Sequence, residues 1–435
     1  MAEREPRSTQ PAWNNPATML GVDKARARIL TSFAPLAPEL TPILDALGMV
    51  LAEDVVSADD LPPFRNSAMD GYAIRSADTI AATEAAPVRL VVRGEIPAGS
   101  RPTLISTPGT AIRIMTGAVI PDGADAVVRF EKVIEPDRRM AGSEIALSEA
   151  SILVSCPVHT GENVRNAGED VAAGTQVLAS GTLLKPAHIG LFASINRATV
   201  NVVRRPIIAI LSTGDEVVEI GPPLELGQIR NSNSYTLAAM TMQFGGIPRM
   251  VGIAMDSEDD VKAHLRACQS ADLLVTSGGV SVGDFDLVKR VLQSEGQIDI
   301  WQIRMKPGKP LAFGSISDTP LLGLPGNPVA AAVAFAQFGR PVIRRMLGMS
   351  DLSAPTQQAK LTREIENRGR RRHFVRGIVE RVNDGYIATP SGRGGTAAMN
   401  DLASANCFII VPEDQDRACI GDTVVVELFD GVSLD

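Results

Sequence analysis

The period at which apolar and polar positions alternate changes several times along this 435-residue chain, and each change marks a boundary. From Thr41 to Val56 apolar residues recur at helical spacing behind Thr41 as N-cap and Pro42 at the first helical position, which predicts a helix. From Leu61 to Ala198, short alternating runs such as V-R-L-V-V-R and A-V-V-R-F-E-K-V-I are cut by Gly and Pro, and they predict one β-rich region or two. From Pro206 to Gly348 the texture is different. I-I-A-I-L-S, M-V-G-I-A-M, D-L-L-V-T-S and P-L-L-G-L read as buried strands, and helical patterns such as S-E-D-D-V-K-A-H-L-R-A-C follow the first three. Strands alternating with helices predict a doubly wound parallel sheet covered on both faces, with Pro341 interrupting the last helix. Gln357 to Asp435 returns to β and predicts a small C-terminal barrel of about five or six strands. The fold class expected is therefore multidomain α/β plus β.

Composition narrows the function classes. With 45% apolar residues the chain can build about two to four domains with their own cores. Its net charge of -8, with a pI near 5.3, argues against general nucleic-acid binding, which needs clustered Lys and Arg on one face. The opening M-A-E-R-E-P-R-S-T-Q-P carries no apolar core, and no run of about 18 apolar residues follows, so a soluble cytoplasmic protein without a membrane partner is expected. Cys156, Cys268, Cys407 and Cys419 form no C-x-x-C pair and read as structural thiols. His159, His188, His264 and His373 show no ligand spacing, so any metal should be held by oxygen.

The chemistry is expected where the predicted strands end. In an open α/β sheet ligands collect beyond the carboxyl ends of the strands. There the sequence places T-G-D-E with Asp215 and Glu216, then Asp256, then G-G-V-S-V-G-D-F-D, then P-G-N-P. The Gly-rich loop lacks the Lys-Ser/Thr of a Walker loop, and its G-G-x-x-x-G spacing is not that of a nicotinamide site. It still offers N–H donors at the start of a helix predicted over Asp286 to Gln293, which suits an anion. Asp284 and Asp286 would repel that anion unless a divalent cation such as Mg²⁺ bridged carboxylate and phosphate. Metal-bridged phosphate chemistry reconciles the two.

The motifs S-A-M-D-G-Y-A (67–73), R-I-M-T-G-A (113–118), G-E-D (168–170), S-T-G-D-E (212–216), S-G-G-V-S-V-G (277–283), M-K-P-G-K-P (305–310) and G-L-P-G-N-P (323–328) resemble, in order, the molybdopterin molybdenumtransferases, the MoeA/gephyrin E-domain family. The resemblance implies insertion of molybdate into adenylylated molybdopterin with release of AMP, assisted by Mg²⁺, in a homodimer. It implies four domains: an α/β domain of residues 18–37 and 205–353, a β-rich linker domain of 38–56 and 175–204, a β-rich domain of 57–174, and a barrel of 354–435. A molybdopterin adenylyltransferase and molybdoenzyme apoproteins or their chaperones would be partners.

Carried over residue by residue, the resemblance implies catalytic roles for Asp70, Thr116, Asp170, Glu216, Asp256 and Asp286, the last three also facing the metal. Substrate would meet Ser277, Gly278, Gly279, Ser281, Gly283, Lys306, Lys309, Pro325, Pro328, Arg376 and Thr396. Asp70, Thr116 and Asp170 equally suit turn caps, and in family dimers they close the cleft of the second subunit. Gln302 stands where many members have Lys, with Arg304 two residues on as the residue to restore the charge; Ala330 stands where Ser is frequent. The run Arg368 to His373 reads as a solvated hairpin turn. An adenylyltransferase-like enzyme and a non-catalytic scaffold are the rival functions.

Overall fold

The computed structural model describes residues 19–136, 150–278, 291, 294–392, 399–429 and 431. The chain divides into two compact units, one of Met1–Thr41, Asp45–Ala52 and Asn201–Asp435, the other of Pro42–Leu44 and Glu53–Val200.

The first unit is built on a six-stranded sheet in the order Ile247–Ala254, Ile207–Thr213, Leu273–Ser277, Thr319–Leu324, Pro310–Ile316, Gly296–Gln302. The first four strands are parallel, as their near-continuous apolar runs require, because both faces are covered. Ile208 and Ile210 face one core with the helices Ser232–Gln243 and Val22–Leu30, while Ala209 and Leu211 face a second core with Val261 and Leu265 of the helix Glu258–Ala267. The last two strands pair antiparallel, so the sheet is mixed and the all-parallel expectation is corrected. A two-residue turn at Ser317 and Asp318, both at positive φ, folds Pro310–Ile316 directly onto Thr319–Leu324 and leaves no room for a crossover helix.

Pro341 disturbs its helix as expected, but the helix does not end there. Pro328–Ala334 passes through a π-turn at Phe335–Gly339 and resumes as Arg340–Met346. Pro341 has no N–H to give the Gln337 carbonyl four residues back. Arg26 supplies the missing donor from its Nε at 3.1 Å, and its terminal nitrogen holds Gln337 Oε1 at 2.6 Å. Gln337 in turn donates to Glu427 Oε2 at 2.5 Å, a carboxyl whose pKa burial raises.

The barrel has five strands in a closed ring: Arg372–Val382, Gly385–Pro390, Thr356–Leu361, Thr423–Leu428 and Cys407–Val411, the last pairing back on the first. Met305–Lys306 adds alongside Arg372–Val382 as a short parallel sixth. Phe374 and Phe408 of the barrel belong to the same core as Ile208 and Leu322 of the sheet. Burial pushes the thiols of Cys268 and Cys407 up to about 11 and about 12, so both are packing groups.

The second unit holds a six-stranded sheet in the order Ala126–Arg129, Gly71–Ile74, Thr110–Ile114, Val88–Ile96, Ser151–Val154, Val133–Ile134. It also contains a helix, Pro186–Ser194, inside the stretch read as β; Pro186 in its first turn was the missed signal. The helix expected over Thr41 to Val56 does not form. Pro38–Pro42 is a strand, turns follow, and Gly48 sits at φ +76, which stops any helix there. Leu44 and Leu47 are exposed, whereas Val50 and Leu51 are buried and Leu51 bridges Val202. The helical spacing was real, but no core face met it.

Candidate active site

The four parallel strands present their carboxyl ends on one rim. Their order, with Ile207–Thr213 between Ile247–Ala254 and Leu273–Ser277, puts the point where the strand order reverses next to Thr213, where ligands bind in such sheets. Asp215, Glu216 and Asp256 lie exposed on this rim. The Asp256 N–H donates to Asp215 Oδ1 at 2.9 Å, so two acidic loops are tied together. Gly214, at φ +130, has the Glu216 carboxylate against it, where a Cβ would lie 2.5 Å from Oε2. Ser277 and Gly278 are also on the rim, Ser277 within hydrogen-bond reach of Asn233. Glu219, which the sequence reading passed over, accepts from Asn231 at 2.6 Å and from Tyr235 at 3.1 Å, and so anchors the loop that follows Glu216.

A cationic cluster forms where the barrel meets the turn Met305–Pro310. Lys306 and His373 are register partners of parallel strands, so their side chains share a face. Burial, then the charge of Arg371, lowers the pKa of both Lys306 and Lys309, and burial lowers that of Arg371. His373 is pushed down to about 3 by burial and by Lys306, Arg376 and Arg371, so it is neutral at pH 7. Half-buried cations that disfavour one another form a natural oxyanion site, because a bound anion removes the mutual repulsion. Arg376 is 7% exposed and pairs with Asp401 at 3.6 Å.

This cluster corrects the reading of Arg368 to His373. Arg368 to Arg370 are the exposed turn, with Arg370 at φ +48, but the strand begins at Arg372 and draws the rest inward. Arg372 grips Asp23 with two bonds of 2.9 and 2.8 Å and Glu413 with a third of 3.0 Å. Arg371 joins Lys306 and Lys309. Arg304, expected to replace a missing Lys, pairs instead with Glu413 at 3.6 Å.

Pro325 is buried behind the rim, and Pro328 opens the helix Pro328–Ala334 capped by Asn327. Ala330 is buried at 5% exposure, and its carbonyl lies 3.3 Å from where a Cβ on Gly308 would sit, so the turn carrying Lys306 and Lys309 packs on this helix. In the second unit Asp70 and Thr116 do meet: Asp70 Oδ1 accepts from the Thr116 N–H at 2.7 Å and from its hydroxyl at 2.9 Å. Those two bonds hold the carboxyl below the usual range. Asp170 is exposed, and its N–H donates to the Leu61 carbonyl at 2.9 Å. Gly279, Ser281, Gly283, Asp284, Asp286 with its predicted helix, and Thr396 lie outside the described residues.

Three family models match in order: the MoeA N-terminal region (domain I and II) over residues 20–196, a probable molybdopterin binding domain over 209–345, and the MoeA C-terminal region (domain IV) over 358–429. The molybdopterin molybdenumtransferase of Haemophilus influenzae is 36% identical over 416 residues, 94% of this chain and 99% of that one. This chain belongs to the molybdopterin molybdenumtransferase family. Molybdopterin molybdenumtransferase 2 of Mycobacterium tuberculosis is 38% identical over 89% of this chain and 94% of that one. A crystal structure of a molybdopterin biosynthesis MoeA protein from Pyrococcus horikosii superimposes with a TM-score of 0.79 at 33% identity, covering 95% of this chain and all of that one (100%). As a member of the family the chain is a transferase of molybdenum cofactor biosynthesis. The rim described above lies within the segment matched as the probable molybdopterin binding domain. No helix among the described residues is long and apolar enough to cross a membrane.

Proposed function

We propose that this transferase acts on adenylylated molybdopterin and molybdate, hydrolyses the phosphoanhydride with release of AMP, and leaves molybdenum on the dithiolene sulfurs. The observation that carries this reading is the joining, within one unit, of an acidic rim and a cationic cluster through the helix Pro328–Ala334. Lys306, Lys309, Arg371 and Arg376 bind and orient the oxyanion, molybdate or the pterin phosphate. His373 stays neutral among them and adds no further charge. The Gly278 turn brings backbone close to the phosphates, and Pro325 and Pro328 fix the turn opposite.

The carboxylates of Glu216 and Asp256, with Asp286, are a hard-oxygen donor set that fits Mg²⁺ better than zinc. Among the described residues no three acidic, His or Cys side chains close around one point, so the reading gives the remaining ligands to substrate oxygens and to Asp286. A bound Mg²⁺ would neutralise charge on the phosphates. The residues themselves hold the anhydride in place and set the cationic cluster to receive the second anion. Asp70, Thr116 and Asp170 are assigned to the same reaction through the family motifs, and the cytoplasm is the compartment proposed.

Incubating the protein with adenylylated molybdopterin, molybdate and Mg²⁺ tests the reading; AMP should appear in step with cofactor. AMP-free turnover, or AMP without cofactor, would overturn it. The homodimer rests on the resemblance. Mixing chains inactivated by Asp70→Ala with chains inactivated by Lys306→Ala should restore roughly a quarter of wild-type activity if each site draws on both copies.

A further inference from the structure

The structure assigns Asn233 as a positioning residue that clamps the strand end at Ser277 to the P-G-N-P turn across the site. Asn233 lies in the first turn of the helix Ser232–Gln243, next but one to the N-cap Asn231. One of its N–H bonds goes to Ser277 Oγ at 2.7 Å, the other to the Gly326 carbonyl at 2.8 Å. Ser277 ends one parallel strand and Gly326 follows the end of its neighbour; the sheet joins them as far as the bond from the Gly278 N–H to the Leu324 carbonyl at 3.1 Å, and the Asn233 amide extends that tie beyond the strand end to Gly326. The assignment rests on the reading of this rim as the active site.

Three further observations give the clamp its force. Gly278, at φ +96, has no room for a side chain, since a Cβ there would lie 2.8 Å from Thr213 Oγ1, and a Cβ on Gly326 would reach van der Waals contact with the Gly278 Cα at 3.7 Å. Gly278 and Gly326 thus lie side by side at the point where the strand order reverses. The Gly326 carbonyl can only accept, so the amide nitrogen must face it and the orientation of the side chain is fixed. Its oxygen is consequently left buried, without a hydrogen-bond partner among the described residues. A buried acceptor without a partner opposes folding, and such groups are retained where they serve a site. Behind Asn233, Asn231 accepts from the Ser212 hydroxyl at 2.8 Å and donates to Glu219, which holds the helix start against the end of the strand Ile207–Thr213.

The opposed signs of two effects make the assignment testable. Asn233→Asp keeps the shape and adds negative charge in the first turn of a helix, where it favours the helix. A residue that merely supports the helix would tolerate that change or gain from it. The clamp would not, because a carboxylate would face the Gly326 carbonyl. Asn233→Asp should therefore exchange the amides of Gly278 and of residues 326–327 about tenfold faster without ligand, while the rest of the helix Ser232–Gln243 keeps its protection, and lose about tenfold to a hundredfold in kcat with a smaller change in KM. Asn233→Ala should show the same losses, smaller in size, and decides in its place should the Asp variant not fold. A kcat within twofold of wild type, or unaltered exchange at the two turns, overturns the assignment. If wild type itself inserts no molybdenum, the functional reading fails and the exchange measurement alone decides the clamp.

Discussion

The acidic rim and the cationic cluster sit in one unit and carry opposite charge, and the protein treats their charges differently. Asp215, Glu216 and Asp256 are exposed and spaced along strand ends, and the Asp215 carboxylate accepts from the Asp256 backbone N–H. Lys306, Lys309 and Arg371 are partly buried, and each is pushed toward losing its proton by desolvation. The exposed carboxylates of the rim keep their hydration in the folded chain, so their desolvation is met only when a cation arrives. The cluster has already lost part of its hydration on folding, and an entering oxyanion recovers interactions that water no longer provides. If the cluster receives the oxyanion as proposed, the difference makes it the preorganised half and leaves the rim to be completed by what binds to it.

Three experiments probe that contrast, beginning with the largest effect. Glu216→Gln combined with Asp256→Asn should slow AMP release by about a thousandfold or more, since a bound cation contributes several kcal/mol of charge stabilisation in the transition state. Titrating the same variant with molybdate should find its affinity almost unchanged; a collapse of that affinity would merge the two regions into one. Next, Arg371→Ala should weaken molybdate binding about tenfold to a hundredfold, the loss of one charge-assisted contact of about 1.5–3 kcal/mol. In that variant Lys306 should titrate at higher pH, because Arg371 is the main charge lowering it. The smallest effect concerns His373, which faces Lys306, Arg371, Arg376 and the Glu366 backbone. Its folded pKa is depressed to about 3, so between the ordinary histidine value and that point the unfolded chain holds a proton that the folded chain lacks. Stability should fall as pH falls through that window, by about 2.5 kcal/mol between pH 7 and pH 4.5. Urea unfolding at pH 7 and pH 4.5 should show His373→Gln losing less than wild type.

The loops of the rim were legible because each follows a short apolar run whose end is marked by Gly, Pro or a carboxylate. Asp215, Glu216, Asp256, Ser277, Pro325 and Pro328 could be placed on one edge from strand order alone. Arg371 was not legible. The run R-G-R-R-R-H looks like a hairpin tip, and nothing local says that pairing with Met305–Lys306 pulls its second half into a partly buried site. Arg304 failed for the same reason: its charge was visible, but Glu413, far along the chain, was the partner that claimed it. The helix expected over Thr41 to Val56 failed because spacing predicts an amphipathic face without showing whether a core exists to receive it.

The sequence by itself determined the parallel strands, the barrel, the family and the residues at strand ends, because burial on both faces and the turn chemistry at each end are written locally. Only the tertiary structure decided what joins distant segments. The Arg26 bond to the carbonyl that Pro341 leaves unpaired, the grip of Arg372 on Asp23 and Glu413, and the clamp of Asn233 on Ser277 and Gly326 all link groups between 41 and 349 residues apart or at intermediate separations. A hydrogen bond needs its partners within about 3 Å and nearly in line, and that condition is set by how sheets, helices and barrel pack, which no local pattern encodes.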